Sequence, residues 1–147
     1  TPPSPKPGTP DTPTKKTVYA FDIDKTLTSV KNTSSTPIEN LIPNQEILKV
    51  AMDAKKAGNV VVIATARQSK YKEQTLAWIK KIGLTPDLVL IRAPDDTSTD
   101  PEVKVSEMKT IQSKYPGQDI KMYDDKEENC AAVEKLKGVT CIRVVQK

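Results

Sequence analysis

The chain has 147 residues, enough for one domain with a single core, and no apolar run reaches the roughly 18 residues of a membrane span. Its net charge is +4, and the first 16 residues carry about half of it, so charge alone does not indicate a nucleic-acid-binding protein. The sequence contains no histidine, which excludes Ser-His-Asp and Cys-His nucleophile systems and His-ligated zinc sites.

The two cysteines, Cys130 and Cys141, are too few for a zinc cage or a disulfide framework. We expect a pair of packed free thiols, with a single disulfide as the alternative if the protein is exported. No signal-peptide pattern is present, and the sequence leaves the location open, with the cytoplasm favoured. We expect a monomer that does not contact membranes.

Residues 1–16, TPPSPKPGTPDTPTKK, are rich in proline and threonine and show no apolar periodicity. This composition predicts a disordered tail or an interdomain linker, because it buries too little surface to offset the entropy of ordering. A linker would imply a second domain upstream in the native protein, whereas a tail would not. We expect one folded domain over residues 17–147.

From residue 17 onward, strand patterns alternate with helix patterns. The predicted strands are 17–22, 59–65, 87–93, 119–125 and 139–145, and the predicted helices are 44–58, 69–83, 101–115 and 127–138. Asn44 and Ser69 are candidate N-caps, and Gly58 and Gly83 are candidate helix ends. The alternation predicts an α/β fold, a five-stranded parallel sheet with helices on both faces in three Rossmann-like layers.

Polar side chains stand where the predicted strands end. The first strand ends in Asp22-Ile23-Asp24, the second in Thr65-Ala66-Arg67 and the fourth in Asp124-Asp125, and Lys104 lies on the first turn of the third helix. In parallel sheets ligands bind beyond the carboxyl ends of the strands, so we expect these groups to converge on one edge.

The predicted cluster suits a metal ion and a phosphoryl group. Carboxylates this close together repel one another unless a cation lies among them, and a set of oxygen ligands suits Mg²⁺. Lys104, Thr65 and backbone N–H groups could neutralise and bind phosphoryl oxygens. An Asp carboxylate can act as nucleophile, and a second carboxylate two residues along an extended strand lies on the same side.

With these motifs the chain resembles the haloacid dehalogenase (HAD) superfamily of phosphohydrolases and phosphotransferases, from about residue 17 to residue 145. The motifs stand in the family order: DIDKT (22–26), Thr65 in VVIATAR, Lys104 in DPEVK, and Asp124-Asp125 in MYDDKEEN. One departure is Lys25, which stands where family members often have glycine.

The resemblance implies the roles of the site residues. Asp22 would attack phosphorus and bind Mg²⁺, and Asp24 would protonate the leaving oxygen, activate water and bind the metal through its backbone carbonyl. Thr65, the backbone at Ala66 and Lys104 would hold the phosphoryl group. The metal-binding residues would be Asp22, Asp24, Asp124 and Asp125. Lys109, further along the same helix, is a rival to Lys104 that the family spacing disfavours.

A closer resemblance is to the 3′-phosphatase domain of polynucleotide kinase/phosphatases, carried by ATARQSKYKEQ, LVLIRAPDDTSTDPEVK and YDDKEEN. It implies that Arg67, Tyr71 and Arg92, with Lys25 as another cation nearby, contact the substrate, although Ala93 separates Arg92 from Pro94. Residues 26–43 and 93–101 are too short for the cap domain that often encloses small-metabolite sites, which predicts an open cleft able to admit a polymer end.

Three functions compete at this point. The first is a Mg²⁺-dependent phosphatase of 3′-phosphate ends on DNA or RNA, and the second is the same chemistry on small phosphomonoesters such as nucleotides. The third is a non-catalytic, phosphate-binding module similar to a response-regulator receiver. Motif order disfavours the receiver, which places its acceptor Asp on the third strand, whereas here that strand ends in Ile91-Arg92.

Overall fold

A computed structural model of the protein describes residues 17–33 and 35–146. Within these residues five parallel strands form one open sheet, in the spatial order β3-β2-β1-β4-β5. The strands are β1 Val18–Phe21, β2 Val60–Ala64, β3 Leu88–Leu90, β4 Ile120–Asp124 and β5 Val139–Arg143. The α-helices are α1 Gln45–Lys56, α2 Lys72–Lys81, α3 Asp100–Lys114 and α4 Glu127–Val133. The predicted α/β fold with a parallel five-stranded sheet is confirmed.

The two faces of the sheet are covered by different helices. In β2, Val61 and Ile63 belong to the apolar cluster that includes residues of α1 and α2. Val62 and Ala64 belong to a second cluster with Met108 of α3 and other residues of α3 and α4. Side chains along a strand alternate between faces, so the run of apolar residues in β2 follows from a strand buried on both sides.

The helix boundaries show which local predictions held. Gly58 and Gly83 follow α1 and α2 with φ of +88° and +87°, the left-handed conformation that ends helices and favours glycine. Asn44 precedes α1, but its side chain donates to the carbonyl of Thr26 (3.1 Å) and makes no cap. Residues Ser69–Tyr71 form a separate 3₁₀ turn, so α2 begins only at Lys72.

The third strand is shorter than predicted, and side chains supply part of the hydrogen bonding at both of its ends. The backbone N–H groups of Asp87 and Arg92 still donate to the carbonyls of Val61 (2.7 Å) and Arg67 (3.3 Å). The Asp87 carboxylate, rather than a strand backbone group, accepts from the backbone N–H of Val61 (2.9 Å). Beyond Leu90 the chain leaves the sheet, and the Arg92 side chain donates to the carbonyl of Ala66 (2.9 Å). Helix α4 is likewise shorter than predicted, since it ends at Val133.

The expectation of two free thiols is wrong. Cys130 in α4 and Cys141 in β5 form a disulfide, with their Cα atoms 5.1 Å apart. The cause is tertiary: α4 returns the chain directly to β5, and the two cysteines meet where these neighbouring elements pack, at a Cα separation that suits a disulfide. A spacing of 11 residues in the sequence does not reveal that meeting.

The order of the strands in the sheet reverses at one point. The connections from β1 run through β2 to β3 on one side, whereas β4 and β5 lie on the other, so the order switches between β1 and β4. Such a switch point is where open α/β sheets bind ligands, at the carboxyl ends of the strands.

The remaining described segments are small. Between the end of β1 and α1 the described residues form a wide turn, a three-residue 3₁₀ helix at Ile38–Asn40 and a single bridge between Thr28 and Pro43, and residues 91–99 form no helix or strand. These segments contain no folded cap, as predicted. The predicted tail, residues 1–16, lies outside the described residues, and no helix among the described residues is long and apolar enough to cross a membrane.

Candidate active site

The turn after β1 separates two carboxylates that are close in sequence. Asp22 follows β1 directly and is 6% exposed, whereas the side chain of Asp24 is 61% exposed. After Asp22 the backbone forms the wide turn Ile23–Leu27, which contains Asp24. Lys25, the next residue in this turn, has φ of +59°. The Lys25 N–H donates to the hydroxyl of Thr28 (2.8 Å), which secures a conformation that only glycine adopts without strain.

Lys104 lies beneath this turn, at the start of α3. The helix begins with a capping box between Thr99 and Glu102 and has Pro101 in its first turn, which fixes the helix start and hence the position of Lys104. The Lys104 ammonium, 1% exposed, donates to Asp22 Oδ1 (2.7 Å) and to the carbonyl of Ala64 (2.7 Å).

Asp124 completes the buried cluster from the end of β4. Its Oδ2 lies 3.3 Å from Lys104 Nζ, and both of its oxygens accept from the amide of Asn129 (3.3 and 3.1 Å). The backbone N–H of Lys126 donates to Asp124 Oδ1 (3.0 Å), so α4 and the turn before it fix the orientation of this carboxylate.

Three carboxylates converge where the strand order switches. Ligand oxygens of Asp22, Asp124 and Asp125 all lie within 4.8 Å of one another. Asp125 Oδ1 and Asn129 Oδ1 are buried without a hydrogen-bond partner among the described residues. Buried oxygens rarely lack partners, so this arrangement fits a hard cation such as Mg²⁺. The carboxylate of Asp24 lies outside the group, and contact between its backbone carbonyl and a metal stays a prediction.

The electrostatics of the cluster also suit a cation. Burial raises the pKa of Asp22 to about 7, an effect that Lys104 opposes and the Asp124 charge reinforces. Burial raises the pKa of Asp125 above its usual range, and the charge of Asp124 adds to this. For Lys104 burial alone would lower the pKa, but the charges of Asp22 and Asp124 outweigh it and raise the pKa. Lys104 therefore stays charged.

The segment after β2, residues 65–67, contributes to the wall of the cavity over the buried cluster. The hydroxyl of Thr65, fully buried, accepts from the backbone N–H of Arg67 (3.1 Å). Arg67 in turn binds Asp24 through two bonds, Nε to Oδ2 (3.1 Å) and Nη2 to Oδ1 (2.8 Å), and donates to the hydroxyl of Thr75 (3.1 Å). The carboxylate expected to move protons is thus held by an arginine expected to contact substrate.

Arg92 organises the loop that leads into α3. Its guanidinium donates to the carbonyls of Ala66 (2.9 Å) and Ser98 (2.6 Å) and to Asp100 Oδ1 (2.8 Å). Lys126 binds the other oxygen of Asp100 (3.1 Å), which joins this loop to the turn after β4. Contact between Arg92 and a substrate stays a prediction, because its hydrogen bonds here lie within the protein.

Two neighbouring cavities lie at the cluster. A cavity of about 310 Å³ is lined by residues of the buried cluster and by Lys25. It shares Asp24, Ala66, Arg67 and Asp100 with a cleft of about 1200 Å³. The larger cleft extends past Arg92, Lys70 and Tyr71. Tyr71 is 37% exposed, and the centre of its ring lies 5.1 Å from Lys70 Nζ.

The structure thus places the predicted residues in two groups. The buried cluster contains Asp22, Lys104, Asp124 and Asp125, and the walls and rim contain Asp24, Lys25, Thr65, Ala66, Arg67, Tyr71 and Arg92. The rival Lys109 is exposed on the same helix.

Sequence reasoning missed three residues of the site. Asn129 stands five residues after Asp124, a spacing that brings a helix side chain back to the strand end, and Asp100 stands one helical turn before Lys104. Gln146 gives no such signal: its amide donates to the carbonyls of Lys25 (2.9 Å) and Thr28 (3.0 Å) from the far end of the chain.

Comparison with known proteins decides the family. Residues 16–147 match the family described as the polynucleotide kinase PNKP phosphatase domain. The chain belongs to this family. The match covers most of the chain, and it makes the protein a HAD-type phosphatase domain, in agreement with the resemblance drawn from its four motifs. Among curated proteins no sequence matches this PNKP-type phosphatase domain significantly.

Solved structures show the same fold. A chain of the Pnkp1/Rnl/Hen1 complex has a TM-score of 0.74 and 21% identity, over 91% of this chain and 47% of that chain. This PNKP-type domain therefore spans about half the length of that relative. A structure from Mesorhizobium loti described as a HAD-like phosphatase has a TM-score of 0.63 and 18% identity, over 86% of this chain and 71% of that chain.

A third structure was determined with ligands. It is the D,D-heptose 1,7-bisphosphate phosphatase of B. bronchiseptica in complex with magnesium and phosphate. The TM-score is 0.55 and the identity 14%, over 86% of this chain and 92% of that chain. All three structures share a fold with this PNKP-type domain.

Proposed function

We propose that the protein is a Mg²⁺-dependent phosphomonoester hydrolase that forms an aspartyl phosphate on Asp22 and removes 3′-phosphates from DNA or RNA ends. The observation that carries the proposal is the buried cluster in which Lys104 joins Asp22 and Asp124 at 2.7 and 3.3 Å. Such a cluster offers a nucleophile and a fixed positive charge at the floor of an open cavity.

In the first chemical step an oxygen of Asp22 attacks phosphorus and the bond from phosphorus to the substrate oxygen breaks. The substrate oxygen takes a proton from Asp24 and leaves as an alcohol. Lys104 donates a hydrogen bond to a phosphoryl oxygen, where negative charge develops. Because Asp22 is held in place by Lys104 before the substrate enters, the attack requires little reorganisation of the protein.

In the second step Asp24 acts in the opposite sense. Its carboxylate takes a proton from water, the water oxygen bonds to phosphorus, and the bond from phosphorus to Asp22 breaks. Asp24 is the exposed carboxylate of the pair, so water reaches it easily. Two hydrogen bonds from Arg67 hold the carboxylate of Asp24 at the cavity wall. One of these hydrogen bonds must break when Asp24 carries the proton.

Magnesium fits the carboxylates of Asp22, Asp124 and Asp125, with the backbone carbonyl of Asp24 as a further ligand. When bound, it would neutralise the phosphoryl oxygens and lower the charge repulsion between nucleophile and substrate. Asn129 and the backbone of Lys126 orient Asp124 for this role. The magnesium in the related heptose bisphosphate phosphatase supports the choice of metal.

The substrate class follows from the shape of the access route and from the relatives. The cleft of about 1200 Å³ adjoins the cavity over the cluster along four shared lining residues, and its size offers room for a chain beyond the terminal phosphate. Tyr71 on its rim is exposed enough to stack on a base, with Lys70 beside it for a backbone phosphate. The similar structure in an RNA repair complex supports a polynucleotide end.

One observation favours small phosphomonoesters as the second candidate. Two of the predicted rim cations are already paired, Arg67 with Asp24 (2.8 Å) and Arg92 with Asp100 (2.8 Å). Their positive charge is therefore largely neutralised within the protein, which weakens the attraction of the cleft for a polyanion. A nucleotide or similar ester would need only the phosphoryl site itself.

The proposed arrangement in the cell is a phosphatase domain joined through residues 1–16 to another domain of an end-repair protein. The disulfide between Cys130 and Cys141 weighs against the expected cytoplasmic location, because disulfides are rare in reducing compartments. A monomer suffices for this proposal, because every residue assigned to the site lies in one chain.

The test is phosphate release from oligonucleotides with a 3′-phosphate, from matched 5′-phosphate oligonucleotides, and from nucleoside monophosphates and p-nitrophenyl phosphate. Each substrate is measured with Mg²⁺, with EDTA, and with Asp22→Asn. Mg²⁺-dependent release that favours the 3′-phosphate and disappears in Asp22→Asn would support the proposal. Release mainly from small esters would move the substrate to the second candidate, and no release from any substrate would refute the hydrolase.

A further inference from the structure

Glu107 is a buried carboxyl group that the proposed reaction does not use. It lies on α3 three residues after Lys104, is 6% exposed, and faces the same side of the helix. Both of its carboxyl oxygens are buried and have no hydrogen-bond partner among the described residues. Since burial of an unpartnered polar group is unfavourable, the presence of Glu107 calls for a physical reason.

The charge state of Glu107 follows from its surroundings. Burial raises the pKa of Glu107 to about 9. Lys104 and Arg92 oppose this rise, while the charges of Asp22 and Asp124 reinforce it. The group is therefore neutral at pH 7, and a neutral carboxyl still offers a carbonyl oxygen as acceptor.

Lys104 is already engaged by three oxygen atoms in this arrangement. Its ammonium donates hydrogen bonds to Asp22 Oδ1 and to the carbonyl of Ala64, both at 2.7 Å, and forms an ion pair with Asp124 Oδ2 at 3.3 Å. Two of these three acceptors belong to the carboxylates that fit a cation. Once their oxygens turn to a cation, the ammonium needs new acceptors, because a buried N–H without a partner is unfavourable.

We propose that Glu107 is a positioning residue, which accepts a hydrogen bond from Lys104 when substrate and cation occupy the site. One N–H of Lys104 then binds a phosphoryl oxygen, one keeps the carbonyl of Ala64, and one binds Glu107. The inference rests on the proposed function, since it assumes that a phosphoryl group and a cation share the site. Glu107 itself does not touch the substrate.

The role predicts a conflict between stability and activity at this position. Replacement by methionine, of similar size and without polar atoms, removes the unpartnered carboxyl and stabilises the protein without metal. The same change removes the acceptor that Lys104 requires in the loaded site. Glutamine keeps a carbonyl oxygen in the same place and should preserve activity.

The experiment compares Glu107→Met and Glu107→Gln with wild type, and uses Glu128→Gln as a control because Glu128 is an exposed glutamate on α4. Melting temperatures are measured in EDTA, kcat and KM with the phosphomonoester that wild type hydrolyses best, and the affinity for inorganic phosphate with Mg²⁺ by calorimetry. We expect Glu107→Met to melt about 3 °C higher and to lose about tenfold in kcat and in phosphate affinity. Glu107→Gln and the control should stay within about twofold of wild type in kcat and in phosphate affinity, because glutamine keeps the acceptor for Lys104 and Glu128 lies outside the site.

Unchanged kcat and phosphate affinity in Glu107→Met would overturn the proposal, and so would a lower melting temperature, which would show that Glu107 has a structural partner. Equal losses in Glu107→Gln and Glu107→Met would also overturn it. The proposed function fails separately, if wild type hydrolyses no phosphomonoester. The phosphate affinities of the two variants still decide the role of Glu107 in that case.

Discussion

Lys104 and Asp22 are 82 residues apart in the sequence and meet at 2.7 Å in the interior of the protein. The contact joins α3, one turn after its start, to the end of β1, and the carbonyl of Ala64 at the end of β2 accepts from the same ammonium. One side chain thus links three elements at the point where the strand order switches. The stability of the sheet edge and the chemistry of the site depend on the same contact.

Removal of the Lys104 charge should destabilise the protein as well as inactivate it. Lys104→Met leaves Asp22 and Asp124 buried without their cation, a change that typically costs about 3–5 kcal/mol. Urea unfolding in EDTA measures this loss, and Asp22→Asn added to Lys104→Met should recover part of it. Lys109→Met, on the exposed side of the same helix, is the matched control and should change neither stability nor phosphate release. Equal effects of the two lysine variants would contradict the account.

The raised pKa of the buried Glu107 carboxyl should make the free energy of unfolding depend on pH. Its pKa is raised from 4.5 to about 9 in the folded protein, so the folded state binds more protons than the unfolded state between these values. The burial of Glu107 is therefore least unfavourable below pH 4.5, where the group is protonated in both states, and the stability of the protein falls as the pH rises from 4.5 to about 9. Denaturant unfolding of the metal-free protein at several pH values measures this slope.

Glu107→Gln supplies the control for that measurement, because glutamine does not titrate. The variant should lose less stability than wild type over the same pH range, and the difference between the two proteins should grow with pH. Parallel curves for the two proteins would show that Glu107 ionises freely in the folded state.

Asn129 should affect metal binding more than stability. Its amide donates to both oxygens of Asp124 (3.3 and 3.1 Å), and groups that orient a metal ligand typically affect metal affinity by about 10–100-fold. We expect Asn129→Ala to raise the Mg²⁺ concentration for half-maximal phosphate release by this factor, with a smaller change in kcat at saturating Mg²⁺. The exposed neighbour Glu128→Ala is the control, and an unchanged Mg²⁺ requirement in Asn129→Ala would refute the role.

The disulfide between Cys130 and Cys141 should stabilise the C-terminal part of the fold. It closes a loop with a sequence separation of 11 residues, for which the loss of unfolded-state entropy corresponds to about 3 kcal/mol. The double variant Cys130→Ser/Cys141→Ser should melt several degrees lower, and a dithiol reductant should lower the melting temperature of wild type but not that of the variant. Alkylation followed by mass spectrometry would reveal two free thiols if the bond does not form.

The sequence predicts the fold well because its local patterns agree with the tertiary structure. The β-branched run before Thr65 predicts a buried strand, and Gly58 and Gly83 predict the ends of two helices. The structure has β2 and the ends of α1 and α2 at these places. Boundaries are less certain where side chains compete with the backbone. Asp87, for example, takes the hydrogen bond that would extend β3.

The site could be predicted in part for a similar reason. Asp22, Thr65 and Asp124 end parallel strands, whose carboxyl ends must meet, so their convergence follows from the topology. Contacts that depend on how a loop folds could not be predicted. Arg92 turns into its own loop to bind Asp100, and Gln146 reaches the turn after β1 from the other end of the chain.

The most direct test of the account is to trap the phosphoryl group on Asp22. Asp24→Asn blocks the activation of water, and p-nitrophenyl phosphate has a leaving group that needs little help from an acid. The variant is incubated with this ester and Mg²⁺, quenched in acid and analysed by peptide mass spectrometry, with Asp22→Asn/Asp24→Asn as the control. The account predicts a hydroxylamine-sensitive phosphoryl group on the peptide that contains Asp22, absent from the control. Phosphate release by wild type without any trapped adduct in Asp24→Asn, or an adduct that persists in the control, would contradict it.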